Sequence, residues 1–433
     1  MRRFCLLFAF GMTVATAGPA GAQATSPSGR ISFTAQSFTA SEAGQSLPSF
    51  TEMVVAATFA SPGGGVGGNE FRVDFRASGT PGSDTRPGRF SVYDAYVGRQ
   101  FGALGMRVGQ MWINDLGGLG SVGGGMVEYR RSDVLGFRRL RAGGFGGFEP
   151  RIMSPGYVQD VMKAGGFLTL EGRGAWRNTV GLVTVRNTGI VERTVLTTTN
   201  FLPFGNRFLV YQAAEFDLAG IAADHGGRLT YFFVNGRYAP TARFEFQGVY
   251  HRGRSLDVRG ITLDQLAGRP VSSRTLEGLL YESAGGRLNV AVTPQVRLFA
   301  GYTRDRNNRE DRATGRTTFG AFATNLFHTG VDVNVSDARM SGPMSTYDSW
   351  DALVGRSLGT RMYLSFEYAT WLSAFRAISQ DAFQIETRPR TNRYSLSDLI
   401  RLGRRVSLLA SLDRTEDGFL RELRWMTTLV YRF

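Results

Sequence analysis

The chain has 433 residues, 42% of them hydrophobic, with a formal charge of +14 and one cysteine. A single cysteine excludes a disulfide-stapled scaffold, and no apolar run reaches the roughly 18 residues of a membrane-spanning helix. All basic residues but Lys163 are Arg, and they alternate with aromatics instead of clustering, which argues against a nucleic-acid partner.

The N-terminus reads MRR, then the apolar FCLLFAFGMTVATAG, then a small-x-small sequence at Ala22, Gln23 and Ala24. That order predicts a secretory signal peptide over residues 1–24, with residues 25–433 as one further domain. Cys5 lies inside this leader and far from its cleavage site, so lipid attachment there is not expected. RISFTAQSF, starting at Arg30, is already strand-like, which leaves no length for a separate plug domain.

Beyond the leader, helical periodicity is nearly absent and period two recurs between Gly, Asn, Asp and Pro. In EFRVDFRA, Phe71, Val73, Phe75 and Ala77 oppose Glu70, Arg72, Asp74 and Arg76. The stretch GFRRLRAGGFGGFEPRIMSPGYVQDVMKAGG begins as a strand and reads on as a Gly-rich loop of about 20 residues. In ARFEFQGVYH, Phe244, Phe246 and Tyr250 alternate with Arg243, Glu245 and Gln247. RMYLSFEYAT places Met362, Leu364, Phe366 and Tyr368 against Arg361, Ser365 and Glu367, and RRVSLLASLD places Val406, Leu408 and Leu412 against Arg405, Ser407 and Asp413. Alternation alone fits a sandwich as well as a barrel.

The connections favour the barrel. Tight turns are expected near Ala239–Pro240, Thr293–Pro294, Leu358–Gly359 and Gly403. Long polar connections are expected around residues 252–285, 304–316, 337–346, 373–391 and 414–420. Short turns on one side and long loops on the other mark a transmembrane barrel. The fold class is therefore all-β: a single transmembrane antiparallel β-barrel with an even strand number of roughly 16 to 22.

In the last strand Leu423, Trp425, Thr427, Leu429, Tyr431 and Phe433 share one face, and the chain stops on that aromatic. Leu429, Tyr431 and Phe433 resemble the C-terminal signal of Gram-negative outer-membrane β-barrel proteins of porin-like type. The resemblance extends to the leader and the strand pattern. It implies the cell outer membrane, contact with outer-membrane lipid and lipopolysaccharide, and a final strand read by the barrel-assembly machinery during biogenesis. It also allows a homo-oligomer.

The polar strand faces then become a lumen. Candidate lining residues are Arg72, Arg76, Arg139, Arg141, Arg243, Arg287, Arg297, Arg361, Arg405, Arg424 and Arg432, with Arg138 on the opposite face. Rings of positive charge bias a pore toward anions. General porins fold one loop inward, its acids facing an Arg ladder, and GGFEP at Gly146–Pro150 resembles such a loop. That resemblance makes Glu149 and Asp160 candidate constriction residues; an extracellular cap is the other reading of the segment. The run RDRNNREDR at Arg304–Arg312 is expected as a solvated outer loop or a bridge to lipopolysaccharide phosphates.

Chemistry of other kinds finds little support. GRSLG at Gly355–Gly359 matches G-x-S-x-G, but closes a hairpin where a hydrolase needs a strand-to-helix elbow. His225, His251 and His328 have no partner at metal-ligand spacing, and His251 with Asp257 is a weak pair. No catalytic residue, metal or cofactor is expected. The function expected is passive diffusion of small solutes with an anion bias. The alternatives are a scaffold or conduit barrel of an export or envelope complex and, third, a barrel enzyme.

Overall fold

The computed structural model describes residues 27–61, 68–81, 88–151, 154–224, 228–343, 345–378, 384–387 and 389–433. The expected leader, residues 1–24, lies outside them.

The described residues form β1 (Ser28–Glu42), β2 (Gln45–Ser46), β3 (Phe50–Ser61), β4 (Asn69–Gly79), β5 (Arg89–Phe101), β6 (Leu104–Trp112), β7 (Ser121–Val134), β8 (Phe137–Pro150), β9 (Tyr157–Glu171), β10 (Arg177–Asn187), β11 (Ile190–Phe204) and β12 (Phe208–Ala219). The second half holds β13 (Leu229–Tyr238), β14 (Phe244–Ser255), β15 (Leu279–Ala291), β16 (Val296–Asn307), β17 (Thr314–Leu326), β18 (Val331–Ser341), β19 (Ser345–Leu358), β20 (Met362–Ile378), β21 (Gln384–Thr387), β22 (Arg390–Arg401), β23 (Val406–Glu416) and β24 (Leu420–Arg432). β2 and β21 only lengthen hairpins, on β1 and β20. The other 22 pair antiparallel with their neighbours in chain order, and β1 pairs with β24 to close the ring. Closure removes every sheet edge.

The closing ladder runs from Arg30 opposite Arg432 to Glu42 opposite Leu420. Beyond it the backbones of Gly29 and Phe433 exchange two hydrogen bonds of 3.2 Å. The Phe433 ring stacks on Tyr431 at 5.8 Å and meets Phe59 at 5.7 Å.

Opposed residues in an antiparallel ladder share a face, so side chains turned toward either surface can be followed round the ring. One surface is apolar and open, with Val97 66% and Val108 65% exposed. It continues through Leu182, Leu298, Val354, Phe366, Leu396 and Leu429. Aromatics cluster along it: Phe204, Phe208, Tyr238 and Phe246 toward the tight-turn end, and Trp350, Tyr368 and Tyr394 further up. The opposite surface carries Arg, Asp, Glu, Ser and Thr. Apolar outside and polar inside is the arrangement of a bilayer-spanning barrel.

Four expectations need correction. The run Arg304–Arg312, expected as an outer loop within a long connection at 304–316, is strand through Asn307, and only residues 308–313 join β16 to β17. The supposed Gly-rich loop is the β8–β9 hairpin, extended from Phe137 to Pro150 and again from Tyr157 to Glu171. Its glycines serve close packing: Gly124 and Gly147 face each other across β7 and β8, and a Cβ on either would strike opposing backbone. The connections expected to be long at 337–346 and 414–420 are short, because β18 runs to Ser341 before β19 starts at Ser345, and β23 to Glu416 before β24 starts at Leu420. Polar composition there marks strands continuing into water, and hydrogen-bonded pairing does not stop where the apolar band does. The expected connection at 373–391 is also largely strand, through β20 and β21, with residues 379–383 and 388 outside the described set. A long connection does join β14 to β15, and it contains the helices Val258–Leu266 and Ser273–Glu277.

Phe433 contributes ring contacts at the seam, whereas Arg432 faces the interior. Phe433→Ala should therefore lower the folded, heat-modifiable fraction on gel electrophoresis severalfold more than Arg432→Ala does. Equal folded yields would contradict this placement.

Candidate pore constriction and lumen

Between β6 and β7 the chain leaves the wall as a 3-10 segment, Asn114–Gly120, bent at Gly117 (φ 56°, ψ −134°). This left-handed region suits glycine, which has no Cβ to clash. The segment closes on itself through Ile113 N–H to Gly120 O at 3.0 Å. Leu116, 1% exposed, lies against Gly181 of β10, where any Cβ would overlap it. Around it Met111, Ile113, Leu119, Val122, Met126, Phe145, Val161, Phe167, Val183, Val185 and Val195 form a buried apolar cluster. A barrel interior bounded by charge thus contains a small hydrophobic core, and that core holds the segment down.

Charge holds it as well. Asp115 pairs with Arg141 of β8 at 3.0 Å and with Arg177 of β10, and accepts from the Thr169 hydroxyl of β9 at 3.3 Å. The chain of pairs continues. Arg141 also meets Glu128 at 2.5 Å, and Glu128, 1% exposed, takes Arg130 at 2.7 Å and Arg107 at 3.8 Å. Arg107 binds Glu70 of β4, and nearby Arg72 bridges Asp94 at 2.9 Å and Asp74 at 3.6 Å. Five arginines meet five carboxylates, so this wall is close to self-neutral. Removing one member would strand its partners in a low-dielectric site, at a cost on the order of 3 kcal/mol.

A second segment leans in from the β14–β15 connection. Asp257 caps the helix Val258–Leu266 by accepting from Gly260 N–H at 2.9 Å, and Ile261 and Thr262 are buried. From its first turn Arg259 reaches Glu192 of β11 at 2.7 Å and Glu149 of β8 at 2.6 Å. Glu149 also takes Lys163 at 3.2 Å. Burial opposes the Arg259 charge, but its bonds to Glu192 and Glu149 hold its pKa above the ordinary guanidinium value. Arg254 donates to the carbonyls of Leu276 (2.8 Å) and Glu277 (3.1 Å), tying the ends of the loop together, and to that of Ala222 (3.0 Å) in the β12–β13 connection.

Of the residues expected to line the lumen, Arg72, Arg76, Arg139, Arg141, Arg287, Arg297, Arg424 and Arg432 face the interior by register. Arg72 and Arg141 are neutralised as above, and Arg139 lies 3.6 Å from Glu171. Arg138, on the other face, curls round to the same carboxylate at 3.1 Å. Arg243, Arg361 and Arg405 sit in tight turns, where their carbonyls accept from Ala291, Arg401 and Arg432. They belong to the barrel rim, a step short of the lining. Arg76, Arg287, Arg297 and Arg424 are exposed inside and make no ion pair with a described residue. Arg287 lies over the Phe299 ring at 3.9 Å, and Arg424 donates to Gln36 at 2.8 Å. Asp305, Asp351 and Asp413 share this side, as do Glu245, Glu367 and Glu422, so the surplus of positive charge is small.

Glu149 and Asp160 do not form a constriction loop. Glu149 is a β8 residue bound to Lys163 and Arg259, and Asp160 is an exposed β9 residue. The inward segment is Asn114–Gly120, a full hairpin earlier. Its only sequence signal is the pair Leu116 and Leu119 in a glycine-rich connection, apolar residues that an outward loop would not need. Arg107, Arg177 and Arg259 carry no such signal, since their roles follow from Glu70, Asp115, Glu149 and Glu192, partners 37 to 110 positions away in the chain.

The weak catalytic matches dissolve. Ser357 lies within strand β19, opposite Tyr363. The His251 ring packs among Tyr231, Phe233 and Tyr281 at 5.3, 6.0 and 4.9 Å, while Asp257 is the helix cap. Among the described residues no group of three His, Cys, Asp or Glu stands close enough to hold a metal ion.

No protein-family model matches the chain, and no curated protein matches it. Solved structures of similar path include Pseudomonas aeruginosa OpdQ, at 11% identity over 94% of this chain and 98% of that one, TM-score 0.45. Acinetobacter baumannii OccAB2 matches at 10% identity over 96% and 100%, TM-score 0.47. Pseudomonas aeruginosa OccK8 (OprE) matches at 7% identity over 94% and 98%, TM-score 0.45.

If Asp115 and Leu116 pin the inward segment, Asp115→Asn and Gly181→Val should each raise single-channel conductance in a planar bilayer. Asp133→Asn, which removes only an exposed contact to Arg173 at 4.0 Å, should leave conductance at the wild-type value.

Proposed function

We propose that the protein is an outer-membrane channel for passive diffusion of small solutes, with a small preference for anions. The observation that carries this reading is the pairing of an apolar exterior with an interior that is part sealed and part charged. On the β4–β11 side, ion pairs and the apolar cluster consume the polar groups, Arg76 of β4 excepted. The polar anchors of Asp115 go to β8, β9 and β10, and among the described residues none goes to β13–β24. That opposite side presents Arg287, Arg297 and Arg424, with Arg76 completing the set from β4. A guanidinium is always charged and offers a fork to carboxylate or phosphate. Across a narrow aqueous space with low-dielectric walls, such fields are focused.

A scaffold barrel would serve equally well with a filled lumen, and conduction separates the two. An enzyme would need a reactive constellation, and the residues that suggested one are committed to packing and capping.

Purified protein in a planar bilayer should pass chloride more readily than potassium. The bias should fade with salt as the Debye length falls from about 10 Å at 0.1 M to about 3 Å at 1 M. Replacing Arg76, Arg297 and Arg424 together by Glu should move the reversal potential toward cation selectivity, most in dilute salt. A conducting wild type without anion preference at low salt would refute the lining, and a barrel that never conducts would favour the scaffold.

A further inference from the structure

The outer wall carries a charged surface that the lumen does not use. Along β16 the outward positions are Leu298, Ala300, Tyr302, Arg304 and Arg306, in register with Val290, Leu288, Gly286, Ala284 and Glu282 of β15. Leu298 and Tyr302 are 45% and 54% exposed, as suits a lipid-facing row. Past Tyr302 the row turns abruptly from apolar to cationic. Val296 to Arg304 spans eight steps, about 26 Å along a strand, or about 20 Å of height at a barrel tilt near 40°. That places Arg304 within about 5 Å of the upper edge of an apolar band about 25 Å tall.

Across the hairpin, Arg312 and Ala313 lead into β17, where Gly315 stands opposite Arg304. A Cβ on Gly315 would lie 3.1 Å from the Tyr302 hydroxyl, so the glycine lets the ring lie flat against the sheet. Tyr302, Arg304, Arg306, Asp311, Arg312 and Gly315 line a cavity of about 550 Å³. Three guanidinium groups face it against one carboxylate. None of the three has an ion pair or side-chain hydrogen bond with a described residue. Their neighbour Arg309 differs, since it donates to the carbonyls of Arg274 at 3.0 Å and Gly278 at 3.1 Å. Glu282, the carboxylate opposite Arg306, is engaged by the Tyr250 hydroxyl at 2.8 Å.

We propose that this pocket binds the phosphorylated headgroup of an outer-leaflet glycolipid. Arg304 and Arg306 are about 7 Å apart along the strand and Arg312 approaches from the other side of the hairpin, a spread that suits two phosphate esters on one sugar backbone. Guanidinium forks bind phosphate by paired, charge-assisted hydrogen bonds. Below the charges, Tyr302 and Phe319 offer an apolar wall along which acyl chains run. Inorganic phosphate would meet the same arginines but gain nothing from that wall. This inference rests on the membrane placement proposed above, and the bilayer conductance measurement tests that placement separately.

The test uses the purified full-length barrel in a phosphate-free detergent, titrated with bis-phosphorylated lipid A, with its fully dephosphorylated form and with inorganic phosphate. Binding is read by native mass spectrometry. Bis-phosphorylated lipid A should bind at least about tenfold more tightly than either comparison probe. The variant Arg304→Ser, Arg306→Ser, Arg312→Ser should lose that margin and retain wild-type conductance, since all three side chains lie outside the lumen. Arg424→Ser, inside it, should leave lipid binding unchanged. Equal binding of the phosphorylated and dephosphorylated lipids, or undiminished binding by the triple variant, would overturn the proposal. Phosphate matching lipid A would overturn the lipid assignment.

Discussion

The structure depends on one constraint: inside a bilayer no backbone N–H or C=O is left without a partner. The thirteen residues of β1 from Arg30 to Glu42 meet β24 residue for residue, and Gly29 and Phe433 add the last two hydrogen bonds. A single register slip at this seam would turn every following side chain to the wrong face. The apolar exterior, the charged interior and the position of each arginine described here all follow from that closure.

Closing 22 strands creates an interior too wide for wall side chains alone to fill. The molecule answers locally. One short segment folds inward and brings its own apolar cluster, centred on Leu116, so that part of the lumen is packed like the core of a soluble protein. Glycine makes this possible at Gly181, where the wall yields to Leu116, and at Gly117, where the segment reverses. The helix Val258–Leu266 adds a second inward piece, fastened by Arg259 to two carboxylates from different strands.

Charge is distributed with the same division of labour. Where arginines sit beside the buried segment they are matched by Glu70, Asp74, Asp94, Asp115 and Glu128, because an isolated ion there would be costly. Facing water, Arg76 of β4 and, across the lumen, Arg287, Arg297 and Arg424 remain unmatched at little cost. The same residue type is therefore structural on one side and exposed to the lumen on the other. At Arg304 and Arg306 it faces neither, but the outer wall of the barrel.

Alternation at Phe71–Ala77, Phe244–Tyr250 and Leu423–Phe433 was enough to read strands and faces, because period two is a local consequence of backbone geometry; the barrel class needed the spacing of the connections and the terminal aromatic as well. It also oriented Arg72, Arg141, Arg297 and Arg424 inward, since parity within one strand needs no knowledge of its neighbours. It did not reveal that Arg72 and Arg141 are neutralised, because Asp94 meets Arg72 only through the register of β4 on β5, and Asp115 meets Arg141 only once its segment folds inward. Composition misplaced the inward loop: glycines at positions 143–147 resemble a flexible connection, yet they permit close strand contact. The segment that does turn inward is recognised by burial against Gly181, a contact between residues 65 positions apart in the chain. Local periodicity thus determined strands and faces from sequence alone. Which charges cancel, which loop enters the lumen and which arginines stay free were decided by the tertiary structure, because each depends on side chains that only barrel closure brings together.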